Sequence, residues 1–338
     1  MGAVSYLDRL WARGRAFLDA DTAFLGGAMT WLSERNLVAA LSNGGGFGVL
    51  ASGAMMPDQL SEEIRATNAL TDRRFGVNLI TMHPQLMELI DVCLDHKVSH
   101  IVLAGGIPPI AAIDRIRSGK TKVLCFAPNL TLGRKLVQRG ADALVIEGME
   151  AGGHTGPVAT SVLAQEILPN IREVPVFVAG GIARGETALA YLEMGASGCQ
   201  LGTRFVCAEE SVAHPHFKKA FIKAKARDAV LSVQLDPMFP VIPVRSLANK
   251  ASNRFLEVQR EVIEKFHSNA LTKKDAQLEI EHFWAGALRR AVVDGDVENG
   301  SMMAGQSVGM VTCEQPAQEI IQELLDQAHL ALEARTRV

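Results

Sequence analysis

Aromatic residues are scarce in this chain: 13 Phe, three Trp and two Tyr make up 5% of 338 residues. No aromatic-anchored interface can therefore be picked out from composition. Cysteine is scarcer still. Cys93, Cys125, Cys199, Cys207 and Cys313 are odd in number and show no CxxC spacing, which excludes a disulfide frame and argues against a zinc site. Cys125 and Cys199 lie in apolar runs and read as small core residues. Charge of one sign does not dominate: 34 basic against 37 acidic residues give a net charge of −3, so neither nucleic acid nor an anionic membrane is an expected partner. No apolar stretch is long enough for a membrane span. The first twenty residues break their apolar positions with charges, unlike a signal peptide, so the expected compartment is the cytoplasm. GxSxG elbows, P-loops, HxxxH pairs and paired carboxylates are absent, and no metal is expected.

What is present is a rhythm. Short apolar runs recur at Ala23–Gly27, Gly48–Ala51, Phe75–Ile80, His100–Leu103, Lys122–Ala127, Ala143–Glu147, Pro175–Ala179 and Gly198–Leu201. Each is followed by a stretch of helical period, such as Glu34–Leu41, Pro57–Thr67, Pro84–His96, Pro109–Arg117, Leu132–Arg139 and Glu186–Met194. Proline near the helix starts and Gly140 and Gly195 at helix ends agree with capping chemistry. The runs are too uniformly apolar for half-exposed strands and suit parallel strands covered on both faces. Eight successive βα units predict a (β/α)8 TIM barrel; a doubly wound open sheet is the alternative. Four segments are expected: an N-terminal helix (1–22), the barrel (23–211), a small helical lid (212–300) and a segment returning to the barrel (301–338). The lid is read from helical pieces at His216–Ala226 and Asn253–Phe266 and the loop 236–243. The last helix, Pro316–Arg335, should close the outer layer.

A barrel places its chemistry just after the strands. Gly180-Gly181 and Gly202-Thr203 follow the last two runs, where backbone N–H groups can converge on a phosphate, with the Thr203 hydroxyl as a further donor. Alternatively, these glycines serve only tight turns. The longest interval between runs holds EGMEAGGHTG, Glu147 to Gly156. Its Gly152 and Gly153 let backbone come close to a flat ligand, and His154 can give or take a proton near neutrality. A histidine that only bonds backbone is the alternative. Glu147 and Glu150 could bond a ligand hydroxyl, orient His154 or be solvated loop carboxylates. His83, His96 and His282 fall in predicted helices and read as structural. A pocket with a phosphate grip and one imidazole but no nucleophile suits a cofactor that carries the chemistry.

The stretches GMEAGGHTG, VAGGIARGETALAYLEMGASGCQLGTRF, EESVAHPHFKKA and GALRRAVVDGDVENGSMMAGQSVGMV together resemble the FMN-dependent nitronate monooxygenase family, formerly 2-nitropropane dioxygenases. That family includes the type II enoyl-acyl-carrier-protein reductases. The likeness runs from Phe24 to Leu325. It implies FMN at the C-terminal face, with Gly180, Gly181, Gly202 and Thr203 on its phosphate. Ala28, Met29, Asn78 and Gln200 would lie along the ring and ribityl chain, Glu147, Gly152 and Gly153 beside them, and His154 would be the active-site histidine. Ala28-Met29-Thr30-Trp31, Gly148-Met149-Glu150, Pro243-Val244-Arg245 and Gly300–Gln306 resemble the reductase branch. That branch implies NADH or NADPH as co-substrate, an enoyl thioester (possibly on acyl carrier protein) as substrate and a homodimer. A nitronate monooxygenase or a quinone reductase is the alternative.

Overall fold

The computed structural model describes residues 3–236 and 242–336. Its strands in chain order are β1 (Phe24–Gly26), β2 (Val49–Ala51), β3 (Gly76–Ile80), β4 (His100–Ala104), β5 (Lys122–Phe126), β6 (Ala143–Glu147), β7 (Gly153–His154), β8 (Val176–Ala179), β9 (Gly198–Leu201), β10 (Ala229–Leu231) and β11 (Val244–Leu247). Eight of them form one parallel sheet in the order β1-β9-β8-β6-β5-β4-β3-β2. Paired backbone bonds between Phe47 and the β1 residues Phe24 and Gly26, each 2.9 Å, join its two ends. The sheet is thus a TIM barrel, as the eight apolar runs predict. Neighbouring residues in these strands point to opposite faces, yet Phe177 and Val178 are both fully buried, one inside the barrel and one under its helices.

The crossover helices lie where expected, with ends displaced by at most three residues. Predicted Glu34–Leu41 is Arg35–Asn43, because the Glu34 carboxylate accepts from the N–H groups of Asn36 and Leu37 and so caps the helix from outside it. Predicted Pro84–His96 shortens to Leu86–Asp95. His83 is therefore not helical; its Nδ1 accepts the Gln85 N–H in the preceding turn. His282 is exposed on the helix Lys273–Val292.

At the N-terminal end of the barrel, two helices, Ala3–Leu10 and Ala12–Leu18, stand where one was expected. Phe17 on the second reaches the barrel floor. There the His100 ring lies edge-on between Phe17 and Phe47, its Nε2 bonded to the Phe17 carbonyl and its Nδ1 to the Ser99 hydroxyl. Burial pushes its pKa down to about 4.

Beyond the barrel come the helices Pro215–Lys223, Lys250–His267 and Lys273–Val292. This lid is not purely helical. β10 and β11 join β7 in an antiparallel sheet of order β10-β11-β7, pairing Val244 with His154 and Arg245 with Gly153. Residues 237–241 of the expected lid loop lie outside the described residues. The last helix, Ala317–Thr336, packs on the helices Gly185–Glu193 and Arg35–Asn43 and completes the outer layer.

Candidate active site at the barrel mouth

The C-terminal strand ends put three polar side chains in the upper part of the barrel. Glu147 ends β6 and lies level with Ala179 of β8, which lies level with Gln200 of β9. One strand thus separates Glu147 from Gln200, or about 10 Å between their Cα atoms. Asn78 of β3 sits between Ala51 and Val102.

These groups differ in how far the protein satisfies them. Asn78 donates to the Val102 carbonyl at 3.0 Å, while its amide oxygen accepts nothing among the described residues. Gln200 is 8% exposed, and its amide makes no hydrogen bond among the described residues. Glu147 likewise has no side-chain partner among them, and burial pushes its pKa up to about 8. A carboxyl group with that value is mostly protonated at neutral pH and can donate a hydrogen bond.

Above this layer lie the glycine turns. The backbone N–H groups of Gly180, Gly181, Gly202 and Thr203 donate to no acceptor among the described residues. Gly181 has φ +72, and a Cβ there would stand 3.1 Å from the Glu150 side chain, so the turn demands glycine. Ala28 and Met29 follow β1. The Met29 N–H donates to the Ser33 hydroxyl, and a Cβ built on Gly202 would meet the Met29 sulfur at 3.5 Å. Trp31, two residues on, has φ +69 and stacks under the guanidinium of Arg289 from the lid.

The EGMEAGGHTG loop is held on both sides. Glu150 is engaged by the protein itself. Its Oε2 accepts from the Thr160 N–H at 2.9 Å and the Thr160 hydroxyl at 2.7 Å, at the start of the helix Thr160–Ile167. The room a Cβ would need at Gly152 is filled by the backbone of Ala304 and Gly305, 2.6–2.7 Å away, so that glycine serves packing of protein on protein. His154 is exposed at the mouth, with its backbone paired to Val244.

Several residues in this arrangement carry no local signal in the sequence. Arg245 is buried and donates from Nε to the Met149 carbonyl and from Nη1 to the Ala229 carbonyl, tying the lid to the loop. The Gly305 N–H donates to the Thr203 hydroxyl oxygen at 2.9 Å, and the Gln306 N–H to the Glu150 carbonyl. Pro243-Val244-Arg245 and the run Gly300–Gln306 are legible only as part of the family resemblance.

The nitronate monooxygenase family model matches residues 21–91 and 85–327. FabK from Thermotoga maritima superposes with a TM-score of 0.85 at 35% identity, covering 96% of this chain and 99% of that one. Nitroalkane oxidase from Streptomyces ansochromogenes gives a TM-score of 0.78 at 27% identity, covering 94% and 99%. A Rhodococcus jostii protein, (3aS,4S,5R,7aS)-5-hydroxy-7a-methyl-1-oxo-octahydro-1H-indene-4-carboxyl-CoA dehydrogenase, is 29% identical over 306 residues, 84% of this chain and 86% of its own. These relatives are oxidoreductases, and FabK and the nitronate monooxygenases use FMN. The barrel, its mouth and the matched length agree: this chain is an oxidoreductase that belongs to the nitronate monooxygenase family.

Proposed function

We propose that the protein binds FMN at the barrel mouth and uses NADH or NADPH to reduce a trans-2-enoyl thioester. The observation that carries this reading is the group of unsatisfied polar atoms at one end of the barrel. The N–H groups of Gly180, Gly181, Gly202 and Thr203, on adjacent turns, suit one phosphate. Gln200, the Asn78 amide oxygen and a protonated Glu147 suit the hydroxyls and heteroatoms of the rest of the cofactor, with Ala28 and Met29 offering it apolar contact. Gly152 and Gly153 belong to the loop that walls this space, and they act through its shape.

The chemistry FMN supplies when bound is two-electron transfer from the nicotinamide to the β-carbon of the conjugated thioester. The chain supplies position and one proton. Arg245 and the β7–β11 pairing fix the His154 backbone at the mouth. From there the imidazole side chain can pass a proton to the α-carbon, completing addition of hydride and proton across the double bond. The identity to FabK over nearly the whole chain supports this reading. The thioester carrier would be coenzyme A, as the name of the Rhodococcus relative indicates, or acyl carrier protein. A homodimer is part of the same proposal.

The match to the nitronate monooxygenase model and the likeness to nitroalkane oxidase favour a second reading. In it His154 takes a proton from a nitroalkane or holds the nitronate, and dioxygen is the electron acceptor. Anaerobic mixing separates the two. The purified yellow protein should bleach with NADH or NADPH and recolour on addition of crotonyl-CoA. Absence of bleaching, together with oxygen-dependent loss of propionate 3-nitronate, would overturn the reductase.

A further inference from the structure

The most exposed large hydrophobic side chains gather at one end of the barrel. Eight described ones are more than half exposed, and six of these are Met56, Met82, Ile107, Ile110, Val233 and Ile242. Scattered exposure is ordinary, but a grouping of this kind marks a binding surface. Met56 follows β2, Met82 follows β3, and Ile107 and Ile110 follow β4. Those strands are neighbours in the barrel, so the four residues share one stretch of its C-terminal rim. Val233 follows β10 and Ile242 precedes β11, whose partner strand holds His154, so these two stand on the lid side of the mouth.

The rim is also almost free of charge. The connecting segments read Ser-Gly-Ala-Met-Met-Pro at 52–57, Thr-Met-His-Pro-Gln at 81–85 and Gly-Gly-Ile-Pro-Pro-Ile at 105–110, and none contains Asp, Glu, Lys or Arg. A phosphate-bearing or acidic partner finds nothing to pair with here. The loops are laced to one another and so keep their shape: Thr81 bonds the carbonyls of Ala104 and Gly105 through its N–H and hydroxyl, and the Ser52 N–H bonds the Asn78 carbonyl. Methionine at the exposed tips adapts to varied apolar shapes. A second protein copy seated on this rim would cap the mouth and bar substrate from His154. The occupant that fits is a substrate with an apolar body of its own.

We infer that this uncharged rim is the docking surface for the non-reacting hydrocarbon part of the substrate, and that the enzyme selects long or bulky acyl groups over short ones. The inference rests on the thioester reading above. From Asn78 in the barrel to Met82 at the rim is four residues, at most about 13 Å, so an acyl group of roughly eight to ten carbons spans the gap.

The test is calorimetric titration of the yellow holoprotein with two unreactive saturated thioesters, butanoyl-CoA and decanoyl-CoA. Wild type should bind decanoyl-CoA at least tenfold more tightly. A Met82→Lys/Ile107→Lys variant should lose that ratio and keep its affinity for butanoyl-CoA. Equal affinities in wild type, or equal weakening of both ligands in the variant, would overturn the inference. So would a wild-type dimer that the double substitution splits on light scattering, since the rim would then be a subunit interface. Because binding is read without turnover, failure of the reductase reading shows separately, as absent turnover of both crotonyl-CoA and trans-2-decenoyl-CoA.

Discussion

The two ends of the barrel each bury an ionisable side chain, and they treat it in opposite ways. At the floor, His100 has both ring nitrogens bonded and two aromatic rings packed nearly perpendicular to it. At the mouth, Glu147 has no side-chain partner among the described residues. Burial disfavours charge on both, lowering the histidine to about 4 and raising the acid to about 8. A satisfied buried group holds structure together. One left unsatisfied is what the proposed cofactor site requires.

The comparison can be broken in several places. The largest effect belongs to the mouth: His154→Ala should lower kcat by about 10²–10⁴-fold while the protein stays yellow, as read by stopped-flow reoxidation of the flavin. An unchanged rate would remove His154 from the chemistry.

The floor comes next. Between about pH 6.5 and 4 the unfolded chain binds a proton at His100 that the native chain refuses, so stability falls as pH falls through this window. The loss should approach about 3 kcal/mol in urea midpoints, and a His100→Gln variant should lack it.

Glu147 has the opposite sign. Between roughly pH 4.5 and 8 the native chain keeps a proton that the unfolded chain has lost, so stability falls as pH rises, and the deficit is complete above about 8. Glu147→Gln should remove that slope and stabilise the cofactor-free protein at pH 9 by on the order of 2 kcal/mol, allowing for partial solvent access. A variant with the wild-type slope would show that Glu147 ionises freely.

Thr203→Val takes away the oxygen that accepts the Gly305 N–H and should weaken FMN binding about tenfold, measured by flavin fluorescence on dialysis. The smallest effect is expected at Arg289→Ala, which removes an exposed cation from the Trp31 ring and should lower Tm by about 1 °C.

The sequence shows the floor and walls of this protein more readily than its mouth. Parallel strands covered on both faces leave unbroken apolar runs, so β3 to β9 can be read directly, apart from the two-residue β7. The glycine-bearing turns at Gly180-Gly181 and Gly202-Thr203 are legible because turns after barrel strands have few residue options. Glu150 is not legible in the same way, since nothing local says that its carboxylate caps a helix beginning ten residues later. β11 is equally hidden: four residues long, it is a strand because it lies between β10 and Gly153-His154, the latter some ninety residues earlier in the chain. The helix Lys273–Val292 runs through Gly286 and spaces its buried residues among many polar ones, which blurs its period.

The bond from Gly305 to Thr203 spans 102 residues, so the turn after β9 is not anchored until the segment beyond the lid has been made. A ribosome that has released all eight barrel strands has made a scaffold whose Thr203 hydroxyl still lacks the Gly305 N–H. On the FMN reading proposed above, loading should follow synthesis of that distant segment, and a chain stopped before Gly305 should fail to retain flavin.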